Sequence, residues 1–102
     1  MNLRYGLTED DIQKLCGVFE RHPQIRKVIL YGSRAKGNFK PGSDIDITLK
    51  AQLDGLTFSQ IQTELDDLLL PYQIDISLYD QLVNPALRSH VDRIGQVLFE
   101  RQ

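Results

Sequence analysis

The stretch YGSRAKGNFKPGSDIDI, residues 31–47, holds the clearest indications of the fold. It starts at the end of an apolar run, residues 28–31, and finishes in an alternating run in which Asp46 separates Ile45 from Ile47. Apolar runs and period-two alternation predict β-strands, and the glycines and the proline between them predict a turn. We therefore expect two strands joined by a short loop.

Amphipathic and alternating patterns predict three helices, one further strand and a short extended tail outside this stretch. In chain order they are a helix that Thr8 caps and residues 21–23 end, a helix over 57–69, a strand over 73–78, a helix that Asn84 caps with Pro85 at its first position, and a short extended tail over 96–100. The helix between the second and third strands allows a right-handed crossover, which would make those strands parallel neighbours. The predicted fold class is α/β, with helices packed on a small mixed β-sheet.

Three aspartates are expected to converge on one face of this sheet. Asp44 and Asp46 lie two residues apart on a strand, so they point the same way, and Asp75 alternates with isoleucines on the next strand. Two carboxylates ~4 Å apart repel by about 4 kcal/mol at an effective dielectric of about 20, which a cation would relieve. Oxygen ligands favour Mg²⁺ or Mn²⁺ over zinc. The alternative is that these aspartates form the ordinary polar face of a half-exposed strand.

The turn that precedes the acidic strand has the composition of a phosphate-binding loop. Gly32 lets the backbone approach a ligand closely, and Ser33 can cap a short helical turn, whose free amides attract anions, or bond a phosphate oxygen. Arg34 and Lys36 add positive charge within a basic run, residues 26–40, that contains no acidic residue. The alternative is a hairpin loop rich in turn residues. The letters match neither GxxxxGK[ST] nor GxGxxG, which excludes the P-loop and Rossmann patterns.

The run GSRAKGNFKPGSDIDI resembles the signature of the DNA polymerase β-type nucleotidyltransferase superfamily, and in particular its minimal nucleotidyltransferase (MNT) branch. That signature has a glycine-serine pair, a downstream glycine, Ser-Asp-x-Asp before an apolar residue, and a third aspartate on a later strand. The resemblance implies that Gly32 and Ser33 contact the phosphates of a nucleoside triphosphate. It also implies that Asp44 and Asp46 bind two divalent metal ions. Asp75 matches the third carboxylate, implied to complete a metal site and to help activate the attacking hydroxyl.

The resemblance further implies an activity and a partner. MNT-branch proteins are typically encoded beside a helical HEPN protein, for which they act as antitoxins, and some are implied to add AMP to a tyrosine of that partner. The leading hypothesis is a metal-dependent adenylyltransferase that uses ATP with two Mg²⁺ or Mn²⁺ ions and forms a hetero-oligomer with a HEPN-type toxin. Two alternatives stay open. One is a non-catalytic nucleotide-binding or toxin-neutralising subunit; the other is an antibiotic-modifying nucleotidyltransferase, which needs an acceptor-binding domain.

Length, composition and charge set limits on these hypotheses. With 102 residues, 41% of them hydrophobic and 25% charged, residues 1–102 are expected to form a single nucleotidyltransferase domain. The lone Cys16 excludes an internal disulfide and a cysteine-based zinc site, and a net charge of -2 argues against direct nucleic-acid binding. No signal-peptide or membrane-spanning run is present, so a cytoplasmic location is expected. His22 and His90 lie near predicted helix ends and are interpreted as capping or surface residues.

Overall fold

The computed structural model describes residues 3–101, which form a four-stranded mixed sheet with helices packed on it. The strands are β1 (Ile25–Tyr31), β2 (Ile45–Ala51), β3 (Ile74–Leu78) and β4 (Gln96–Glu100); the helices are α1 (Glu9–Glu20), α2 (Ser33–Lys36), α3 (Gly55–Asp66) and α4 (Pro85–Ile94), and a 3₁₀ turn covers Tyr79–Gln81. The strand order is β3-β2-β1-β4. The strand β1 is antiparallel to β2 and β4, whereas β3 is parallel to β2. The predicted fold class and the parallel crossover are both confirmed.

Side-chain caps determine where α1 and α3 begin. Thr8 accepts a hydrogen bond from the Asp11 amide at 3.0 Å, and the Asp11 carboxylate accepts one from the Thr8 amide at 3.2 Å. This reciprocal capping box starts α1 at the predicted place. The helix α3 differs from the predicted 57–69, because Asp54 caps it two residues earlier. It also ends earlier, at Asp66, and Leu69 beyond it has a left-handed φ of 56°.

The hydrophobic core lies between one face of the sheet and helices α1 and α3. Its strand residues alternate along β1 and β2, and they include the fully buried Val28, Leu30, Ile45, Ile47 and Leu49. The intervening residues point to the opposite face, which we call the site face. The helix α4 packs on the site face, because its end at Gly95 lies directly against the Ile29 side chain. The helix α4 therefore borders the site face.

The predicted extended tail is the strand β4, which forms one edge of the sheet. It pairs with β1 through Val28 and Phe99, and Arg101 then donates hydrogen bonds to the carbonyl oxygens of Phe19 and Ile25, both at 3.1 Å. These contacts fasten the end of the described chain to α1 and β1. Within residues 3–101, every helix is too short or too polar to span a bilayer.

Candidate active site

Asp46 of β2 and Asp75 of β3 lie side by side on the site face. The parallel register pairs these two residues directly, and the antiparallel register pairs Tyr31 of β1 with Asp46 on its other side. Burial raises the pKa of Asp46 above its usual value, and the negative charges of Asp75 and Asp44 raise it further. The Asp46–Asp75 pair thus concentrates negative charge around a partly buried carboxylate, which is the environment that a divalent cation would stabilise.

Asp44 lies just outside this pair. The strand β2 begins at Ile45, so Asp44 is an exposed loop residue, and strand alternation does not hold its side chain beside Asp46. Among residues 3–101, no three His, Cys, Asp or Glu side chains are close enough together to hold one metal ion. The predicted convergence of three carboxylates is therefore wrong in detail: the structure brings Asp46 and Asp75 together, and Asp44 is near enough to act on Asp46 through its charge.

Gly32 forms the turn between β1 and α2 and touches the acidic pair. Its φ of 76° and ψ of -155° lie in a region that is open essentially to glycine alone. A Cβ built on Gly32 would lie 2.5 Å from Asp46 Oδ2, so the backbone passes the carboxylate at a distance that excludes a side chain. The predicted turn and the predicted acidic strand therefore meet at one point.

Hydroxyl groups continue the polar strip along the site face beyond the acidic pair. Ser77 Oγ donates a hydrogen bond to Thr48 Oγ1 at 3.0 Å, although Thr48 is fully buried. Tyr31 lies beside this strip: burial raises the pKa of Tyr31, and the charges of Asp46 and Asp75 oppose ionisation of the phenol as well. The floor of the site is therefore polar, and its buried hydroxyls have hydrogen-bond partners.

His90 of α4 is the site residue that sequence interpretation missed. Its Nε2 accepts a hydrogen bond from the Gly32 backbone amide at 3.1 Å, and its ring lies edge-on to Tyr31 with the ring centroids 6.2 Å apart. The helix α4 begins at the Asn84 cap as predicted, with His90 one position before the buried Val91. A contact between residues 58 positions apart leaves no local pattern, so only the tertiary structure could identify it.

Arg34 does not have the phosphate-facing position that its place in the basic run predicts. Its side chain is only 1% exposed. The guanidinium donates hydrogen bonds to the carbonyl oxygens of Ser43 at 2.8 and 3.1 Å, Tyr5 at 2.9 Å and Pro41 at 3.3 Å. Its donors are thus directed into the protein, and the expected phosphate contact is replaced by contacts with the loop that leads to β2.

The remaining phosphate candidates lie on α2. Ser33 is its first residue and is half-buried, whereas Lys36 is its last residue and is exposed. The basic residues of the run 26–40, expected to attract an anion, have separate surroundings in the structure. Lys27 pairs with Glu100 at 3.4 Å, and Arg26 lines a separate cavity that also involves residues 50–52. Lys36 is therefore an exposed cation next to the Gly32 turn.

Comparison with known proteins assigns this geometry to a family. Residues 13–102 match the family described as polymerase beta, nucleotidyltransferase. A protein of Methanocaldococcus jannaschii, named as a protein adenylyltransferase, is 31% identical over 83 residues, which cover 74% of this chain and 80% of the relative.

Two solved structures share the fold over nearly the whole chain. A chain of the crystal structure of a toxin-antitoxin with AMP-PNP has a TM-score of 0.69 and 26% identity, with 94% of this chain and 76% of that chain covered. A chain of the tri-AMPylated Shewanella oneidensis HEPN toxin in complex with MNT antitoxin has a TM-score of 0.66 and 21% identity, with 92% and 73% covered. Because the family match spans both the glycine turn and the acidic strands, the chain belongs to the polymerase beta nucleotidyltransferase family.

Proposed function

We propose that this protein transfers AMP from ATP to a tyrosine hydroxyl of a HEPN toxin and so acts as the antitoxin of that partner. The observation that carries the proposal is the close approach of the Gly32 backbone to the Asp46 carboxylate. It brings the glycine turn, proposed to bind phosphate, next to the Asp46–Asp75 pair, proposed to bind metal. Family membership supports the reaction class. The Methanocaldococcus relative supports a protein acceptor, and the toxin-antitoxin structures support the kind of partner.

In this proposal the turn binds the triphosphate and the aspartates bind the metal. Gly32 and Ser33 contact the phosphates through backbone amide and hydroxyl, and Lys36 adds positive charge. Asp46 and Asp75, which lie side by side, would hold Mg²⁺ or Mn²⁺, and Asp44 would complete the ligand set by turning in from its loop. These residues fit such ions because all of their donors are carboxylate oxygens and Asp46 has a raised pKa. Bound there, divalent ions would supply charge neutralisation for the entering and leaving oxygens at the α-phosphorus.

Asp75 is the residue that we propose to serve the acceptor. It is exposed on β3, which is an edge strand, so a hydroxyl of another polypeptide can approach it from the open side of the sheet. There the carboxylate accepts the hydroxyl proton while the acceptor oxygen bonds to the α-phosphorus and pyrophosphate leaves. In the proposal, residues 1–102 serve as one nucleotidyltransferase domain, and the acceptor comes from a second polypeptide in a hetero-oligomer.

The direct test uses the protein, Mg²⁺ and the HEPN partner encoded beside it. ATP labelled at the α-phosphate is expected to label the partner on a tyrosine, and ATP labelled at the γ-phosphate is expected to leave it unlabelled. Asp46→Asn should abolish transfer. The control Asp67→Asn, at an exposed aspartate after α3, should transfer at the wild-type rate. Absence of label with the wild-type protein, or transfer by Asp46→Asn at that rate, would refute the proposed reaction.

A second experiment separates catalysis from neutralisation by contact. Asp75→Asn is expected to form the complex with the toxin but to leave the toxin active, because binding alone does not need this carboxylate. Replacing the labelled tyrosine of the toxin by phenylalanine should remove the label without preventing assembly. If Asp75→Asn neutralises the toxin as well as the wild type does, the protein acts by contact and the catalytic proposal is wrong.

A further inference from the structure

We infer that Arg34 is a positioning residue that sets the orientation of Asp44, and that it is not a ligand of the nucleotide phosphates. The inference rests on the proposed function, because the role of Asp44 as a metal ligand belongs to that proposal. Arg34 is the largest of the fully buried side chains in the described chain. Burying a charged side chain costs free energy unless its hydrogen-bond donors are satisfied. The groups that accept hydrogen bonds from Arg34 therefore indicate which part of the protein it holds in position.

The strongest contact of Arg34 is with the peptide group that joins Ser43 to Asp44. The Ser43 carbonyl oxygen accepts two hydrogen bonds from the guanidinium, from Nη2 at 2.8 Å and from Nε at 3.1 Å. Nη2 also donates to the Pro41 carbonyl oxygen at 3.3 Å. Because the carbonyl of Ser43 and the amide of Asp44 are one rigid planar unit, fixing this carbonyl fixes the direction in which the backbone enters Asp44.

Two aromatic rings and the N-terminal segment enclose the guanidinium. Its Cζ lies 4.7 Å from the centroid of Tyr72 and 5.3 Å from that of Phe39, and Nη1 donates to the Tyr5 carbonyl oxygen at 2.9 Å. Gly6, with a φ of 75°, passes so close that a Cβ there would meet both Phe39 and Nη1 of Arg34. Carbonyl dipoles and ring faces thus stabilise the charge inside the fold.

These contacts require the shape of arginine as well as its charge. A planar guanidinium reaches three carbonyl groups in different directions while its faces stack on rings, whereas a lysine ammonium has its donors at one point. A phosphate ligand would instead contribute directly to AMP-PNP binding, so removing its charge in Arg34→Gln would weaken that binding. The two roles therefore predict different results for AMP-PNP binding without divalent ions: no change for a positioning residue and a loss for a phosphate ligand.

The experiment compares Arg34→Lys and Arg34→Gln with Arg26→Lys, which changes an exposed arginine of β1. In metal-free protein, both Arg34 variants are expected to shift the Asp44 amide resonance and speed its hydrogen exchange. Both should weaken Mn²⁺ binding, measured by electron paramagnetic resonance, by about tenfold or more, as the loss of groups that orient metal ligands does. Binding of AMP-PNP without divalent ions should stay at the wild-type level. Arg26→Lys should change none of these quantities.

The inference is overturned if Arg34→Lys leaves the Asp44 amide unchanged, or if Arg34→Gln weakens AMP-PNP binding in the absence of divalent ions. A core variant, Leu65→Ala, controls for lost stability, because it should lower the melting temperature without moving the Asp44 resonance. If the Arg34 variants do not fold, Phe39→Leu, which removes one ring stacked on the guanidinium and keeps the hydrogen bonds, should still shift the Asp44 resonance, and an unchanged resonance then overturns the inference. If the wild-type protein binds no Mn²⁺, the proposed metal role fails, and the Asp44 amide still decides the positioning role.

Discussion

Replacing Gly32 by alanine tests the contact on which the candidate site depends. Holding an L-residue at φ 76° and ψ -155° costs about 1–3 kcal/mol. The new Cβ would also lie 2.5 Å from Asp46 Oδ2, and moving that carboxylate out of its rotamer costs about 0.5–1.5 kcal/mol more. The total loss of about 2–4 kcal/mol is a large part of the roughly 5–15 kcal/mol that stabilises a domain. At about 4–8 °C for each kcal/mol, the melting temperature should fall by about 8–32 °C.

Two other glycines separate backbone strain from steric contact. Gly37 has a φ of 91°, and no atom lies within 4 Å of the place that a Cβ would occupy, so Gly37→Ala carries strain alone, about 1–2 kcal/mol. Gly17 lies inside α1 with open space around it, and Gly17→Ala should stabilise the helix by about 0.5–1 kcal/mol. Thermal unfolding followed by circular dichroism should therefore rank Gly17→Ala above the wild type, then Gly37→Ala, then Gly32→Ala.

A double-mutant cycle assigns the additional loss at Gly32 to Asp46. In an Asp46→Ala background the clash partner is absent, so Gly32→Ala should cost less there, with a coupling energy of about 0.5–3 kcal/mol. Strict additivity, or a Gly32→Ala variant no less stable than Gly37→Ala, would show that the turn does not press on the carboxylate. Either result would remove the observation that carries the proposed function.

Three further predictions concern stability. Without divalent ions, Asp46→Asn should raise the melting temperature at pH 8 but not below pH ~4, the usual aspartate pKa. Burial first, and then the charges of Asp75 and Asp44, raise the pKa of Asp46, so its ionisation destabilises the folded state as pH rises. An equal gain in melting temperature at both pH values would contradict this. His90→Ala should cost about 0.5–1.5 kcal/mol and speed hydrogen exchange of the Gly32 amide, which loses its acceptor; unchanged exchange would refute the contact. Arg101→Ala should lower the unfolding free energy in urea by about 1.5–3 kcal/mol, because a charged donor to α1 and β1 is lost, whereas Arg93→Ala on exposed α4 surface should change it little.

Local patterns predicted most of the secondary structure, but they did not predict which strand pairs with β4. The capping residues Thr8 and Asn84 act within one helical turn, so their effect can be read from neighbouring residues. The Asp54 cap is equally local, and its omission moved the predicted start of α3. The pairing of β4 with β1 is different in kind, because the tail at 96–100 has no nearby partner in the sequence.

The glycine turn that leads into the strand carrying Asp46 can be predicted from neighbouring residues, because backbone freedom and period-two alternation are local properties. The groups that the polar side chains contact depend on tertiary packing. His90 reaches the Gly32 amide across 58 positions, and Arg34 reaches the Tyr5 carbonyl across 29. A basic residue beside a phosphate-binding turn has the same charge whether it faces a phosphate or a carbonyl. Whether the residue faces a phosphate or a carbonyl depends on its burial, and burial depends on how distant segments of the chain pack.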